Sequence, residues 1–326
     1  MVSNFPQICD NSLKSLPVKQ REIISRRFGL NGKNKETLEL IGKDFSITRE
    51  RVRQIERDGL LKLSAEVEKR PEVFKDLKQY FKRFGHARKE ESVLSDLGES
   101  QGKSYVSLLL NLAKGFRHFS ETEEFHSCWT AGDGIISGVK ENISLLQEKI
   151  QEKGKPSRLE DLISHTDLNK NILASYLGIS KRIQTNPDGF YGLREWPEIN
   201  PKGIKDKAFL VLKRTQKPLH FTQVATLIPN ALSQTVHNEL IKDSRFVLVG
   251  RGIYALKEWG YDEGVVKDVI SKVIREAGKP LKREEIVEKV LNQRIVKENT
   301  ILLNLSNKKL FQKNPGGFFD INRQTS

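Results

Sequence analysis

The decisive stretch reads Leu38-Glu-Leu-Ile41-Gly42-Lys-Asp-Phe45-Ser46-Ile47-Thr48-Arg49-Glu50-Arg51-Val52-Arg53-Gln54-Ile55-Glu56-Arg57. Leu38, Ile41 and Phe45 recur at spacings of three and four, which places them on one face of a helix. Ser46-Ile47 read as a short turn. Thr48 is a good N-cap, because its hydroxyl can accept a backbone N–H of the following turn. Val52, Ile55, Gly59 and Leu63 then form a second helical stripe. Two short amphipathic helices joined by a tight turn predict a helix-turn-helix.

The polar face of the second helix carries the chemistry. At about 100° per residue, Glu50, Gln54 and Arg57 lie opposite the apolar stripe, with Arg53 close by and Arg49 and Arg51 flanking. In a DNA major groove a Gln can pair with adenine, a Glu can accept from cytosine, and Arg can take guanine or phosphate. A surface built only to hold phosphate would avoid a central carboxylate, so Glu50 framed by arginines favours base reading anchored by backbone contacts. The same charges would also suit a solvated helix with pairs such as Glu50–Arg53.

Composition sets the outer limits. The chain has 326 residues, 37% of them hydrophobic and 30% charged, which suits several small cores. No apolar run approaches the ~18 residues of a membrane span. The first residues have neither the basic start nor the apolar core of a signal peptide, so the expected location is cytoplasmic and nucleoid-associated. Two cysteines, Cys9 and Cys128, are too few for a disulfide framework or a four-cysteine zinc site. The net charge of +14 points to a polyanionic partner, above all double-stranded DNA. That charge is uneven: residues 1–70 carry 15 Lys and Arg against 10 Asp and Glu, residues 71–199 carry 18 against 19, and residues 200–326 carry 23 against 13.

A repeat organises the remainder. Lys155-Pro156, Lys217-Pro218 and Lys279-Pro280 are spaced 62 residues apart, each closing one helical pattern and preceding another. Each unit ends alike: Gly189-Phe-Tyr-Gly-Leu-Arg-Glu-Trp196, Gly252-Ile-Tyr-Ala-Leu-Lys-Glu-Trp259 and Gly317-Phe-Phe-Asp-Ile. A strand over Arg245–Val249 pairs with the one after Gly252 as a hairpin. The order helix, Lys-Pro turn, helix, helix, hairpin is that of a winged helix. Residues 71–135 read as a degenerate copy, with Leu108–Leu112 on its third helix and a hairpin from Phe116–Phe119 and Phe125–Trp129. The expected fold is mainly α with small β-hairpins: a helix-turn-helix over 1–70, then winged-helix-like units over 71–135, 136–200, 201–262 and 263–326.

Two resemblances attach to these residues. Thr48-Arg-Glu-Arg-Val-Arg-Gln-Ile-Glu56, with Leu16–Leu30 and Glu36–Glu39 before it, resembles region 4 of the sigma-70 family over residues 12–64. The resemblance implies that the helix reads a −35 promoter element through Thr48, Arg49, Glu50, Arg51, Arg53 and Gln54. It also implies that residues 16–30, with Arg21, Arg26 and Arg27 around Ile23, Ile24 and Phe28, meet the β flap of RNA polymerase. Sigma factors carry region 4 last and add a domain that melts the −10 element. Here the matching module comes first and no such segment is found, so a regulator borrowing the −35 reader is expected. Residues 203–262, and more weakly 265–321, resemble the HARE-HTH domains of the RNA polymerase delta subunit.

Other signals are weaker. His118, His126 and Cys128 lie close in sequence but lack a fourth ligand, so no metal is expected. There is no phosphate loop, HExxH or nucleophile elbow, and the reading is a non-enzyme without cofactors. Trp196 and Trp259 read as core plugs at strand ends. Lys213, Arg214, Lys217, Lys242, Arg245 and Arg251 are candidate DNA-backbone contacts, because they flank the helices and hairpin turn of the 201–262 unit. Alternatives to a transcription regulator are an architectural or genome-maintenance protein and the targeting subunit of a restriction-modification system.

Overall fold

A computed structural model describes residues 4–98 and 102–322. The ends of the outer segments, 1–3 and 323–326, lie outside the described residues. The chain divides into two compact units, residues 1–199 and 200–326.

The first unit opens with α1 (Phe5–Leu13), α2 (Val18–Phe28), α3 (Leu38–Asp44) and α4 (Arg49–Val67). Helices α3 and α4 are the expected helix-turn-helix. Ser46 takes a left-handed φ of 52° in the turn. Glycine is required at one position here and gives close packing at another. A Cβ on Gly42 would stand 2.7 Å from the Ile47 carbonyl oxygen, so the turn closes only without one. A Cβ on Gly59 would stand 2.7 Å from Ile24 Cδ1, which lets α4 lie directly on α2. Ile23, Ile41 and Val52 form a small core inside the motif, with Leu38, Phe45, Ile47 and Ile55 around it.

The unit continues with α5 (Pro71–Lys82), β1 (Ala87–Lys89), α6 (Glu90–Leu97), α7 (Lys103–Leu112), β2 (Phe116–Phe119) and β3 (Cys128–Ala131). Then follow α8 (Ile135–Lys153), α9 (Leu159–Ile163), α10 (Lys170–Ile179), β4 (Ile183–Thr185) and β5 (Tyr191–Leu193). The second unit holds α11 (Gly203–Thr215), β6 (Leu219–His220), α12 (Phe221–Thr226), α13 (Ser233–Lys242), β7 (Phe246–Gly250) and β8 (Ile253–Leu256). It ends with α14 (Val266–Ala277), α15 (Arg283–Leu291), α16 (Glu298–Leu305), β9 (Phe311–Lys313) and β10 (Phe319–Ile321). The protein is mainly helical with small antiparallel sheets.

One pairing recurs in all four modules after α4. The residue two places beyond each Lys of the Lys-Pro pairs joins the last hairpin strand: Ser157 with Tyr191, Leu219 with Tyr254, Leu281 with Phe319. Ser157 and Tyr191 exchange both backbone bonds at 2.8 Å, and Leu281 and Phe319 do so at 3.0 and 2.8 Å. Residues 71–131 lack the Lys-Pro pair, yet Ala87 meets Thr130 of β3 in the same way. A left-handed residue, Gly154, Gln216 or Gly278, ends the first helix, and the proline two places on leads into the extended residue that closes the sheet edge.

Several expected details shift. The second hairpin strand of the 71–135 module is Cys128–Ala131, and Phe125 instead bridges Ser180 of the next module. The strand expected from Arg245 begins at Phe246, because Arg245 is drawn into a side-chain cluster. Trp196 and Trp259 lie past their strands, in a turn and in a short 3-10 helix (Lys257–Trp259), and pack half-buried on their module cores.

The expected boundary at 70/71 does not separate two cores. Leu16, Ile24, Leu30, Leu63 and Val67 share one buried cluster with Tyr105, Leu108, Leu109 and Leu112 of α7. Ser64 Oγ donates to the Leu112 carbonyl at 2.9 Å, and Tyr105 Oη to Asn31 Oδ1 at 2.8 Å. A second shared core ties Ala87 and Cys128 to α8 and α10. Residues 1–70 alone are therefore expected to give no cooperative thermal transition by circular dichroism, whereas residues 1–199 melt sharply. Leu109→Ala, at a fully buried position, is expected to cost the 1–199 unit about 2–5 kcal/mol. A sharp transition from the 1–70 fragment would show the shared core to be dispensable.

In the second unit, Arg294 is 3% exposed and donates to the carbonyls of Leu248, Asp262 (2.8 Å) and Gly264 (2.5 Å). Ile295 N–H adds a bond to the Val249 carbonyl at 2.8 Å, so the turn between α15 and α16 covers the open edge of β7. Arg294→Met keeps much of the bulk but removes the donors. It is expected to lower the stability of residues 200–326 by roughly 1–3 kcal/mol, read by Trp259 fluorescence in a urea titration. An unchanged midpoint would mean the bolt adds nothing.

Candidate nucleic-acid interface

Thr48 starts α4 as a capping residue, its Oγ1 accepting Arg51 N–H at 3.1 Å. The first three turns of α4 then present Arg49, Glu50, Arg51, Arg53, Gln54 and Arg57 to solvent, while Val52 and Gly59 are buried beneath. The structure thus brings together on one exposed face all seven residues singled out by the sequence.

In the free protein this face is paired with itself. Arg53 embraces the Glu50 carboxylate, with Nε at 2.8 Å and Nη2 at 2.6 Å. Arg51 Nη1 donates to Gln54 Oε1 at 3.0 Å. The Arg53 hydrogen bond holds the Glu50 carboxyl below the usual carboxylate range, so it is ionised at neutral pH. Such exposed pairs are weak in water and exchange readily for other partners. The solvated-helix pairing is thus present, and the face that carries it stays exposed.

Glu56 belongs to the scaffold. It pairs with Arg27 of α2 at 3.2 Å, and Arg27 Nη1 also donates to the Glu36 carbonyl at 2.6 Å. Arg26 binds Glu36 (Nε at 3.0 Å) and Asp44, tying α2 to both ends of α3. These bonds correct one expectation. Ile23 and Ile24 are fully buried and belong to the module core, while Arg26 and Arg27 are paired with carboxylates and, like Arg21 and Phe28, stay half-buried at its surface.

The six cations expected to line DNA in the second unit do not act alike. Arg245 is not free for phosphate. Its side chain is 30% exposed, pairs with Asp206 at 2.8 Å and Asp243 at 2.6 Å, and stacks 5.0 Å from the Phe209 ring. Lys213 is half-buried over the same ring at 5.2 Å. Arg214 is exposed beside an apolar groove. Lys217, Lys242 and Arg251 are exposed, Arg251 at the tip of the β7–β8 hairpin.

His118, His126 and Cys128 do not converge. His118 Nε2 lies 3.2 Å from Glu90, and burial pushes the Cys128 thiol up to about 11. Among the described residues no group of three or more His, Cys, Asp and Glu is placed to hold a metal ion. No helix among them is long and apolar enough to cross a membrane.

One feature next to α4 escaped the sequence reading. Arg53, Arg57, Leu60 and Leu61 face Asn111 and Leu112 of α7 across an open groove of about 400 Å³. The available signal was the composition of α7, whose run Leu108-Leu-Leu with Val106 and Leu112 spreads apolar side chains around most of the helix.

Residues 12–65 match the family described as Sigma-70, region 4. Similar proteins include the RNA polymerase sigma factor SigA of Clostridium acetobutylicum, 41% identical over 68 residues, or 21% of this chain and 17% of that protein. The sigma factor RpoD of Neisseria gonorrhoeae is 36% identical over 63 residues, 19% of this chain and 10% of that one. SigA of Microcystis aeruginosa is 44% identical over 54 residues, 17% of this chain and 13% of its own. The chain thus matches less than a fifth of the length of each relative, and the matching part is the module that contains α3 and α4.

Proposed function

We propose that the protein is a DNA-binding transcription regulator, without enzymatic activity, in which α4 reads a −35-like promoter element in double-stranded DNA. The observation that carries the reading is the capped, exposed α4 face, with Glu50 and Gln54 at its centre and Arg49, Arg51, Arg53 and Arg57 around them. The match of residues 12–65 to Sigma-70, region 4 supports it. On binding, the internal Glu50–Arg53 and Arg51–Gln54 pairs give way: carboxylate and amide turn to base edges, guanidiniums to guanine or phosphate. The same resemblance supports contact with the β flap of RNA polymerase, made by parts of the module other than the buried Ile23 and Ile24. The four modules after α4 are read as winged helices, those from 203 onward HARE-HTH-like. Their support is the recurrent order of helix, short strand or single bridging residue, helix, helix and hairpin.

Selection of bound sequences from random duplex DNA tests this directly. The wild type is expected to yield one defined motif. Glu50→Ala and Gln54→Ala should each relax it at single base positions, losing roughly 1–3 kcal/mol of discrimination. Indifference to sequence, or an unchanged motif in both variants, would sink base reading and favour an architectural role.

Within this reading Lys217, Lys242 and Arg251 hold the DNA backbone from the second unit. Each phosphate contact contributes ~0.9 to the slope of log affinity against log salt. Removing residues 200–326 is therefore expected to flatten that slope by about 2–3 while the selected motif stays the same. A slope that does not move would assign these cations to solvent.

A further inference from the structure

Helix α11 is apolar on two faces. Ala208, Phe209 and Leu212 point into the core of their module. On the outer face Lys207, Leu210, Val211 and Arg214 follow the i, i+3, i+4, i+7 spacing of a helix stripe. With Leu227 and Pro229 from the end of α12 they line a groove of about 260 Å³. Leu227 is 53% exposed. Leu210 and Val211 touch the edge of the module core and stay half-exposed on the groove side.

The sister modules show that this face need not be apolar. With the Lys-Pro pairs superposed, a shift of 62 residues, Leu210 and Arg214 correspond to Lys272 and Glu276 of α14. Those two pair with each other at 3.6 Å. One repeat earlier, Val211 and Arg214 correspond to Lys149 and Glu152 of α8, which pair at 2.8 Å. Two modules thus finish the face with an ion pair. The third has Leu210 and Val211 where the two lysines stand and Arg214 where the glutamates stand, with Lys207 as a second cation at the other end of the stripe. Among the described residues neither Lys207 nor Arg214 has a carboxylate partner.

We propose that this groove docks an amphipathic acidic helix of a partner protein. The recognised pattern is two aliphatic side chains framed by carboxylates seven residues apart. Seven residues span about 10 Å along a helix, which matches the separation of Lys207 and Arg214 along α11. The aliphatic pair of the incoming helix fills the space between Leu210, Val211 and Leu227, and its carboxylates meet the two cations at the ends. Duplex DNA is the poorer occupant, because an aliphatic floor offers nothing to phosphate. The inference goes beyond the reading of α4 and stands independently of it.

The test uses the full chain and a fluorescein-labelled synthetic helical peptide with Glu at i and i+7 and Leu at i+3 and i+4. Fluorescence anisotropy at low salt is expected to give a dissociation constant in the micromolar range, weakening as salt rises. A peptide with Lys in place of both Glu should bind at least roughly tenfold more weakly. The double substitution Lys207→Glu with Arg214→Glu reverses the charge at both ends of the stripe, alters only exposed side chains, and should leave thermal melting and α4-dependent DNA selection unchanged. It is expected to weaken the acidic peptide roughly tenfold or more. The proposal is overturned if no peptide binds, if the Lys peptide binds equally well, or if the double variant binds as tightly as the wild type. It is also overturned if a short duplex of random sequence displaces the peptide from the wild type without involving α4, as tested with Arg49→Ala/Arg53→Ala.

Discussion

The burial of α7 is the constraint on which the first unit rests. The helix Tyr105-Val-Ser-Leu-Leu-Leu-Asn-Leu112 buries every side chain of this stretch but Asn111, and α1, α2 and α4 cover the side that its own module leaves open. The reading helix is therefore not a free-standing element on a tether. Its last two turns, through Leu63, Ser64 and Val67, are fixed to α7, while its first turns project beyond that contact. Rigidity at one end and exposure at the other is what a helix needs if it is to enter a groove without losing its own orientation.

The four modules show how one backbone plan is put to different uses. Closure of the sheet edge by Ala87, Ser157, Leu219 and Leu281 depends only on backbone hydrogen bonds, so side chains elsewhere can vary without disturbing it. In the first unit the third helices, α7 and α10, are largely consumed by packing: Ser175 Oγ and Tyr176 Oη of α10 reach the carbonyls of Ala87 and Gly85 in the preceding module. In the second unit α13 keeps Gln234, Thr235, Asn238 and Lys242 exposed, and α16 keeps Asn299, Thr300 and Leu303 exposed. The uneven charge, near neutral over 71–199 and strongly basic over 200–326, follows the same division. The difference comes from added Lys and Arg, 23 against 18, and from fewer Asp and Glu, 13 against 19.

Much of this was legible in the sequence because it was written in short-range signals. The Thr48 cap, the stripe of Val52, Ile55 and Leu63, and the polar face of α4 are all consequences of helical spacing within a few turns. The Lys-Pro period located three of the modules because proline acts on its immediate neighbours. What escaped was long-range. Arg245 looks like any other cation until Asp206, 39 residues away, is folded against it. Ile23 and Ile24 look like a contact surface until α3 and α4 close over one and α7 over the other. The 70/71 boundary failed for the same reason: a helix break at Arg70 is a local event, whereas sharing of a core is not.

The self-paired state of α4 has a physical consequence for discrimination. A carboxylate moved from water to a base edge must regain its lost hydration from a donor, and here it also gives up the two guanidinium bonds of Arg53. Cytosine, with an exocyclic amino group in the major groove, can supply that donor; guanine and thymine oppose the carboxylate with acceptors. Opposite an acceptor, Glu50 would do better to keep Arg53, and Arg53 would then be lost to its own DNA contact. If α4 reads bases as proposed, the internal pair couples two neighbouring choices: a correct base would release an arginine to bind, and a wrong one would withhold it. Glu50 and Arg53 lie one helical turn apart, so the coupling requires no movement of the backbone. A helix with arginines alone would bind DNA at least as tightly at low salt, but it would have no such penalty with which to tell sequences apart.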